Sequence, residues 1–458
     1  MISSWMRRRA ARHAGKKREQ DENSGMELTI PNDFRCPISL DLMKDPVTLS
    51  TGTTFDRESI ETWIEAGNHC CPITKQALTT LEPIPNHVIR KMIQDWCVDN
   101  QSYGIERIPT PRIPVSSLDV SEMLSKVMAA KQVEDGEGCR VLVAKMKALA
   151  KESERNRRCI VRNGTASVLS ATFEAFAKAS FGDEIIQVLE EILSALTLMF
   201  PLDGDAKSHL GSTASLHCMV WLLKCGDLSV RRNAVLALKE VLSSDHQQKV
   251  ECLAQIEGAM EALVKLIKEP ICPTTTKASL MAIYYMVSSS SLANRKAMAR
   301  FVEMGLVSLL LEILVDSERS ISEKALGVLD GLCSCEEGRE NAYLHALTMP
   351  VLVKKILRVS DLATEFSVSI LWKLSKIEKR EEEEGVDVLV EALQVGAFQK
   401  LLLLLQVGCG ERTKEKATEL LKLLNQLHRD RTGGLRLRCT EARLGPQFLF
   451  RCTFDSPN

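Results

Sequence analysis

IPNDFRCPISLDLMKDPVTLSTGTTFDRESIETWIEAGNHCCPITKQALTTLEPIPNHVIRKMIQDW, residues 30–96, decides what the N-terminal part of this chain is. Its pieces CPIS (36–39) and CPIT (71–74) have the look of metal-binding hooks. A structural zinc needs four nitrogen or sulfur ligands, usually from C-x2-C pairs. The second cysteine of each hook is missing, with Ser39 and Thr74 in its place. Only Cys36, Cys70, Cys71, Cys97, His69 and His87 remain, and Cys70 and Cys71 are adjacent. Neither zinc nor any other cofactor is therefore expected. Hydrogen bonds and ion pairs can clip such loops instead, and Ser39, Asp41, Asp45, Ser50, Thr51, Asp56, Arg57, Glu58 and Thr74 are available. Which of them pair is open at this level.

The apolar filling follows helical spacing. Asp56 is the expected N-cap of a helix carrying Ile60, Trp63 and Ile64, which Gly67 stops. A second helix after Pro85-Asn86 carries Val88, Ile89, Met92, Ile93 and Trp96. Ile60 and Trp96 are assigned to the core.

Downstream, GIERIPTPRIPVSSL (104–118) holds Pro109, Pro111 and Pro114, which bar helix and mark a linker. From 119 to 430 a helical pattern repeats. Turns followed by apolar runs recur at Gly164, Ser212, Gly258, Gly305, Met349 and Gly396, in steps of 44–48 residues. About 20 residues after each turn a small residue opens another helix, at Ala234, Ala278, Ala325, Val368 and Ala417. One such unit cannot bury its apolar face alone, so six of them stack into one continuous superhelix. The period and the glycine turns are similar to those of armadillo repeats. Isolated Asn233 and Trp372, in place of regular ladders, argue against a nuclear-signal receptor. The acidic run Glu381–Glu384 reads as a solvated loop.

The ends are less informative. Arg7, Arg8, Arg9, Arg12, Lys16, Lys17 and Arg18 make residues 1–30 a disordered basic tail, with nucleic-acid binding as the sharper alternative. Residues 431–458 open on Gly433-Gly434 after Thr432, lack an amphipathic period and read as a loose tail.

Composition narrows the classes. The 458 residues carry a net charge of −1, so nucleic acid is not an expected partner of the whole chain. The hydrophobic content is 45% and the aromatic content 5%, which suits helix-on-helix packing. No run of 18 apolar residues occurs, so no integral membrane segment is expected. The 15 cysteines, an odd number without an apolar leader, read as reduced thiols of a cytoplasmic protein, with a nuclear share left open. Cys218, Cys252, Cys333 and Cys335 lie in helical patterns and read as core thiols rather than nucleophiles.

Four landmarks in order, CPISLDLMKDPV (36–47), STGTTFDRESIETWI (50–64), CPIT (71–74) and IPN (84–86), resemble the U-box, a zinc-free relative of the RING finger. With the repeats, the chain resembles the plant U-box ubiquitin ligases, nearest their short defence-related branch. The expected fold is mainly α: a small α+β U-box at 31–105, a Pro-rich linker at 106–118 and an armadillo-type α-solenoid at 119–430. The resemblance implies a ubiquitin-protein ligase with no covalent intermediate of its own. It would dock a conjugating enzyme charged with ubiquitin and promote direct transfer to a substrate lysine, the repeats holding the protein substrate. It further implies that Ile38, Leu40, Trp63 and Pro72 contact the conjugating enzyme and that Lys75 positions ubiquitin. A non-catalytic interaction scaffold is the rival reading, and homo-oligomerisation is open.

Overall fold

A computed structural model describes residues 30–109, 114–179, 182–243, 247–288, 292–376, 388–431, 437–444 and 447–454. The basic cluster Arg7–Arg18, the acidic run Glu381–Glu384, Pro111 and Gly433-Gly434 lie outside them. The chain divides into two compact units, Met1–Ile113 and Pro114–Asn458.

The first unit is a three-stranded antiparallel sheet with two helices. Its strands are β1 (Pro46–Thr48), β2 (Thr54–Asp56) and β3 (Ile84–Pro85), in the order β2-β1-β3. Val47 pairs with Phe55 on one side and with Pro85 on the other. Helix α1 spans Arg57–Glu65 and helix α2 spans His87–Asp99. Cys36, Met43, Val47, Phe55, Ile60, Cys71, Ile93 and Cys97 are fully or almost fully buried, and the half-buried Trp96 packs against this core. Gly67 follows the last turn of α1 with φ +85°, a conformation glycine adopts without strain.

Two expectations change here. Asp56 occupies the N-cap position of α1, but its side chain does not cap the helix. Its Oδ1 instead accepts the backbone N–H groups of Lys44 (2.8 Å) and Asp45 (2.9 Å), tying the turn before β1 to the end of β2. Val88 and Met92 do not fill the core: α2 buries Ile93 and Cys97 and turns those two outward.

One side chain joins most of these elements. Asn86 accepts the N–H of Ile89 as N-cap of α2, while its amide donates to Thr48 Oγ1 on β1 and Thr54 Oγ1 on β2.

The second unit opens with helices Ser117–Gln132 and Gly136–Glu152, followed by six groups of three helices. The first group is Glu154–Arg162, Thr165–Lys178 and Asp183–Leu196. The short leading helix of each group was not separated out in the sequence pattern. The second helix starts after a left-handed glycine at Gly164, Gly258, Gly305 and Gly396, and after Ser212 as N-cap. In the fifth group the N-cap is Leu347, and Met349 lies inside the helix, so the turn comes two residues earlier than its apolar run suggests. Ala234, Ala278, Ala325, Val368 and Ala417 fall on the third helices, each at most 2% exposed. Third helices pack on third helices from one group to the next. Small residues there let neighbouring helices approach closely, and polar ties span the seams. Lys277 pairs with Glu318 at 2.5 Å, Ser360 with Glu323 at 2.6 Å, Lys373 with Asp330 at 2.8 Å and Lys416 with Ser369 at 2.8 Å.

The segment read as a loose tail contains an antiparallel hairpin, β4 (Leu437–Leu444) and β5 (Gln447–Phe454), paired from Leu437–Phe454 to Leu444–Gln447. Its signal is a run rich in Phe, Leu, Cys and Thr joined by a two-residue connection, Gly445-Pro446. Among the described residues no single helix is long and apolar enough to cross a membrane.

Candidate functional site

The two hook-like pieces form the same loop twice. In Cys36–Asp41 the N–H of Cys36 donates to Asp41 O at 2.8 Å, and that of Leu40 donates to Cys36 O at 2.8 Å. In Cys71–Gln76 the N–H of Cys71 donates to Gln76 O at 2.9 Å, and that of Lys75 donates to Cys71 O at 3.0 Å. An isolated antiparallel bridge flanks each loop, Arg35–Leu42 and Cys70–Ala77. The fifth residue of each is left-handed, Leu40 at φ 62° and Lys75 at φ 59°. Neither is glycine, so each closure stores about 1–2 kcal/mol of backbone strain.

The loops close on their own backbone, and the cysteines point inward. Cys36 Sγ accepts the N–H of Asp56 at 3.3 Å. Cys71 is fully buried, which by itself would raise its pKa. Hydrogen bonds from the Thr74 hydroxyl and backbone and from the Ile73 backbone outweigh that and bring the thiol down to about 6. Its side chain has no solvent access and lies beneath the loop. Ser39 Oγ accepts the N–H of Asp41 at 3.4 Å, and Arg57 joins Asp45 (2.6 Å) to Glu61 (3.5 Å), clipping β1 to α1.

The residues singled out from sequence fall on these loops and on α1. Leu40 is 63% exposed and reaches outward. Ile38 is half-buried and leans on the core cluster that also borders Trp63. The Trp63 indole N–H donates to Cys70 O at 2.8 Å, and Asn68 donates to Trp63 O at 3.0 Å, so α1 is fastened to the second loop. Pro72 is half-buried beside it in sequence. Lys75 Nζ lies 5.8 Å from the Trp63 ring centroid, a cation–π stack worth ~0.5–1 kcal/mol at an exposed site. The structure thus brings Trp63, Lys75 and the second loop together. Sequence reading missed Ile73, 53% exposed. It is the second loop's counterpart of Ile38, and aligning CPIS on CPIT finds it.

The buried cysteines of the second unit, Cys139, Cys218 and Cys333, behave as packing. Burial pushes Cys218 and Cys333 up to about 12 and Cys139 to about 11, far from nucleophiles at neutral pH. Cys225 is the exception in placement, being exposed.

Two family profiles cover most of the chain. That of the U-box domain matches residues 30–102, and that of the plant U-box protein ARM repeat region matches residues 119–433. U-box domain-containing protein 21 of Arabidopsis thaliana is 51% identical over 87% of this chain and 88% of its own. U-box domain-containing protein 20 of the same plant is 45% identical over 88% of each. The Arabidopsis protein named E3 ubiquitin-protein ligase PUB23 is 34% identical over 88% of this chain and 95% of its own. A solved designed armadillo repeat protein aligns at 19% identity and a TM-score of 0.44, covering 56% of this chain and 99% of its own.

Proposed function

Because the chain belongs to the plant U-box proteins with an ARM repeat region, we propose that it is a ubiquitin-protein ligase whose U-box recruits a charged conjugating enzyme and whose repeats hold the substrate. The observation that carries this is the pair of duplicate loops, with Leu40 exposed on the first and the Trp63–Lys75 stack on the second. In the proposal Ile38, Leu40, Trp63 and Pro72 form the docking face, to which we add Ile73. The loops are closed before the partner arrives, which lowers the ordering cost of binding.

No residue of the ligase takes the ubiquitin. The chemistry is attack of a substrate lysine on the conjugating enzyme's thioester, and the ligase contributes orientation and fixed electrostatics. Lys75 would hold the thioester-linked ubiquitin against the conjugating enzyme. As a point donor it lacks the fork of an arginine. The proposal places the protein in the cytoplasm, where free thiols such as Cys36, Cys97 and Cys218 persist. A role in plant defence or stress signalling is proposed on the family resemblance alone, and a knockout with unaltered defence responses would remove it.

Reconstituted self-ubiquitination tests the core of the reading. Wild type should build chains, and Ile38→Ala should lose nearly all of them while its circular dichroism stays that of the wild type. A wild type that is silent with a broad panel of conjugating enzymes would establish the scaffold reading instead.

A further inference from the structure

Trp63 meets the second loop at both ends. Its indole N–H donates to Cys70 O at 2.8 Å, one residue ahead of the loop. Lys75 Nζ, at the loop's fifth position, lies over its ring, 5.8 Å from the centroid. The tryptophan is itself held in place. It packs half-buried against the core cluster of the first unit, and Asn68 Nδ2 donates to Trp63 O at 3.0 Å. One face of a fixed aromatic ring therefore stands under the side chain proposed to hold ubiquitin.

A lysine needs such a support more than an arginine does. The loop sets the Lys75 backbone, with φ at 59° and its N–H donating to Cys71 O at 3.0 Å, so the direction in which the side chain leaves is settled. Beyond that point runs a flexible four-carbon stem that ends in a point charge. Freezing such a stem is among the largest side-chain entropy losses. An ammonium left loose until ubiquitin arrived would load that loss onto the transfer step. Attraction to the ring face narrows where the charge stands beforehand, so part of the ordering is done on folding. In an arginine the planar fork supplies this preorganisation, and here the indole does. Lys75 is exposed, so the stacked ammonium stays within reach of a partner.

We propose that Trp63 is a positioning residue for ubiquitin transfer and acts through Lys75, its ring holding the ammonium where the thioester-linked ubiquitin meets it already placed. The inference rests on the ubiquitin-holding role proposed above for Lys75. It gives Trp63 two separable effects. Contact with the conjugating enzyme sets affinity, and the stack sets the rate of transfer once the charged enzyme is bound.

Single-turnover discharge of a preformed enzyme–ubiquitin thioester onto free lysine, with the full chain at saturating concentration, gives a rate free of docking affinity. A titration with the uncharged enzyme gives the affinity. Lys75→Ala should lower the saturated rate about tenfold, the loss of one hydrogen bond from a charged group. Trp63→Leu should weaken docking and also lower the saturated rate about two- to fivefold, the factor of an exposed cation–π stack. In the Lys75→Ala background the same change should still weaken docking but leave the saturated rate alone. A leucine variant that merely distorts the loop would lower the rate in both backgrounds, so the cycle tells stacking from structure. Trp63→Phe keeps a ring face without the N–H and should recover most of the rate lost in Trp63→Leu. Nuclear magnetic resonance gives a readout besides activity. The ring current should move the ε-methylene protons of isotope-labelled Lys75 upfield in wild type, and Trp63→Leu should return them to the ordinary lysine position. Equal rate losses in both backgrounds, or an unshifted Lys75 methylene in wild type, would overturn this inference and leave the role of Lys75 standing. A full saturated rate in Lys75→Ala would remove that role and the inference with it.

Discussion

Replacing Leu40 by glycine separates holding the loop from docking a partner. Leu40 sits at φ 62°, where a leucine is strained by about 1–2 kcal/mol and a glycine is not. Glycine returns about 0.5–1 kcal/mol of that through the greater freedom of the unfolded chain. With Leu40 63% exposed, roughly a third of its side chain is buried, worth about 0.7 kcal/mol. The three terms cancel to within about 1 kcal/mol, so the U-box should melt within about 5 °C of wild type. Leu40→Ala keeps the strain and loses the burial, and should melt lower than Leu40→Gly. Docking responds differently. The exposed two-thirds of the side chain would be buried against the conjugating enzyme, worth about 1–2 kcal/mol, so either variant should bind about tenfold more weakly. Differential scanning calorimetry and a fluorescence-anisotropy titration with the conjugating enzyme read the two effects on the same full-length sample. Affinity within twofold of wild type for Leu40→Gly would refute the docking role. A glycine variant melting below the alanine variant would refute the strain argument.

Other expectations address the two units separately. Asp56→Ala removes the acceptor for two backbone amides and should destabilise the U-box by about 2–4 kcal/mol in calorimetry, with Asp56→Asn recovering part of the loss. Ala325→Leu forces three extra carbons into a fully buried seam between third helices and should lower solenoid stability by about 1–3 kcal/mol in urea unfolding; an unchanged midpoint would contradict close approach there. For Cys71 the folded thiol titrates near 6 and the ordinary thiol near 9.0. Between those values the unfolded chain binds a proton that the folded chain does not, so stability from this group is complete above about 9 and is lost as pH falls through about 6. The melting difference between wild type and Cys71→Ser should therefore widen from pH 6 to pH 9, and a flat difference would argue against the thiolate.

Much of this was legible in the chain itself, for identifiable reasons. Missing hook cysteines at Ser39 and Thr74 point to polar clips, and the period of Ala234, Ala278 and Ala325 marks a recurring helix, though not its place as the third of each group. What stayed hidden depends on tertiary choices. Asp56 had an N-cap's place and chemistry, but two amides across the sheet competed for its carboxylate and won. Val88 and Met92 obey the helical period of Ile89, Ile93 and Trp96, and period does not say which side of α2 meets the core. The strain at Leu40 and Lys75 is invisible to composition, since nothing about a leucine or a lysine signals positive φ. Ile73 was recoverable, had the two loops been laid over each other.

The duplication of that loop bears on how such a protein can change its associates. Each loop is closed by main-chain bonds that do not involve the side chains at its third and fifth positions. Ile38 and Leu40 on one loop, and Ile73 and Lys75 on the other, are therefore four interchangeable teeth on a fixed frame. If these residues dock conjugating enzymes as proposed, substitutions there would shift preference among such enzymes while the main-chain closure of each loop is kept.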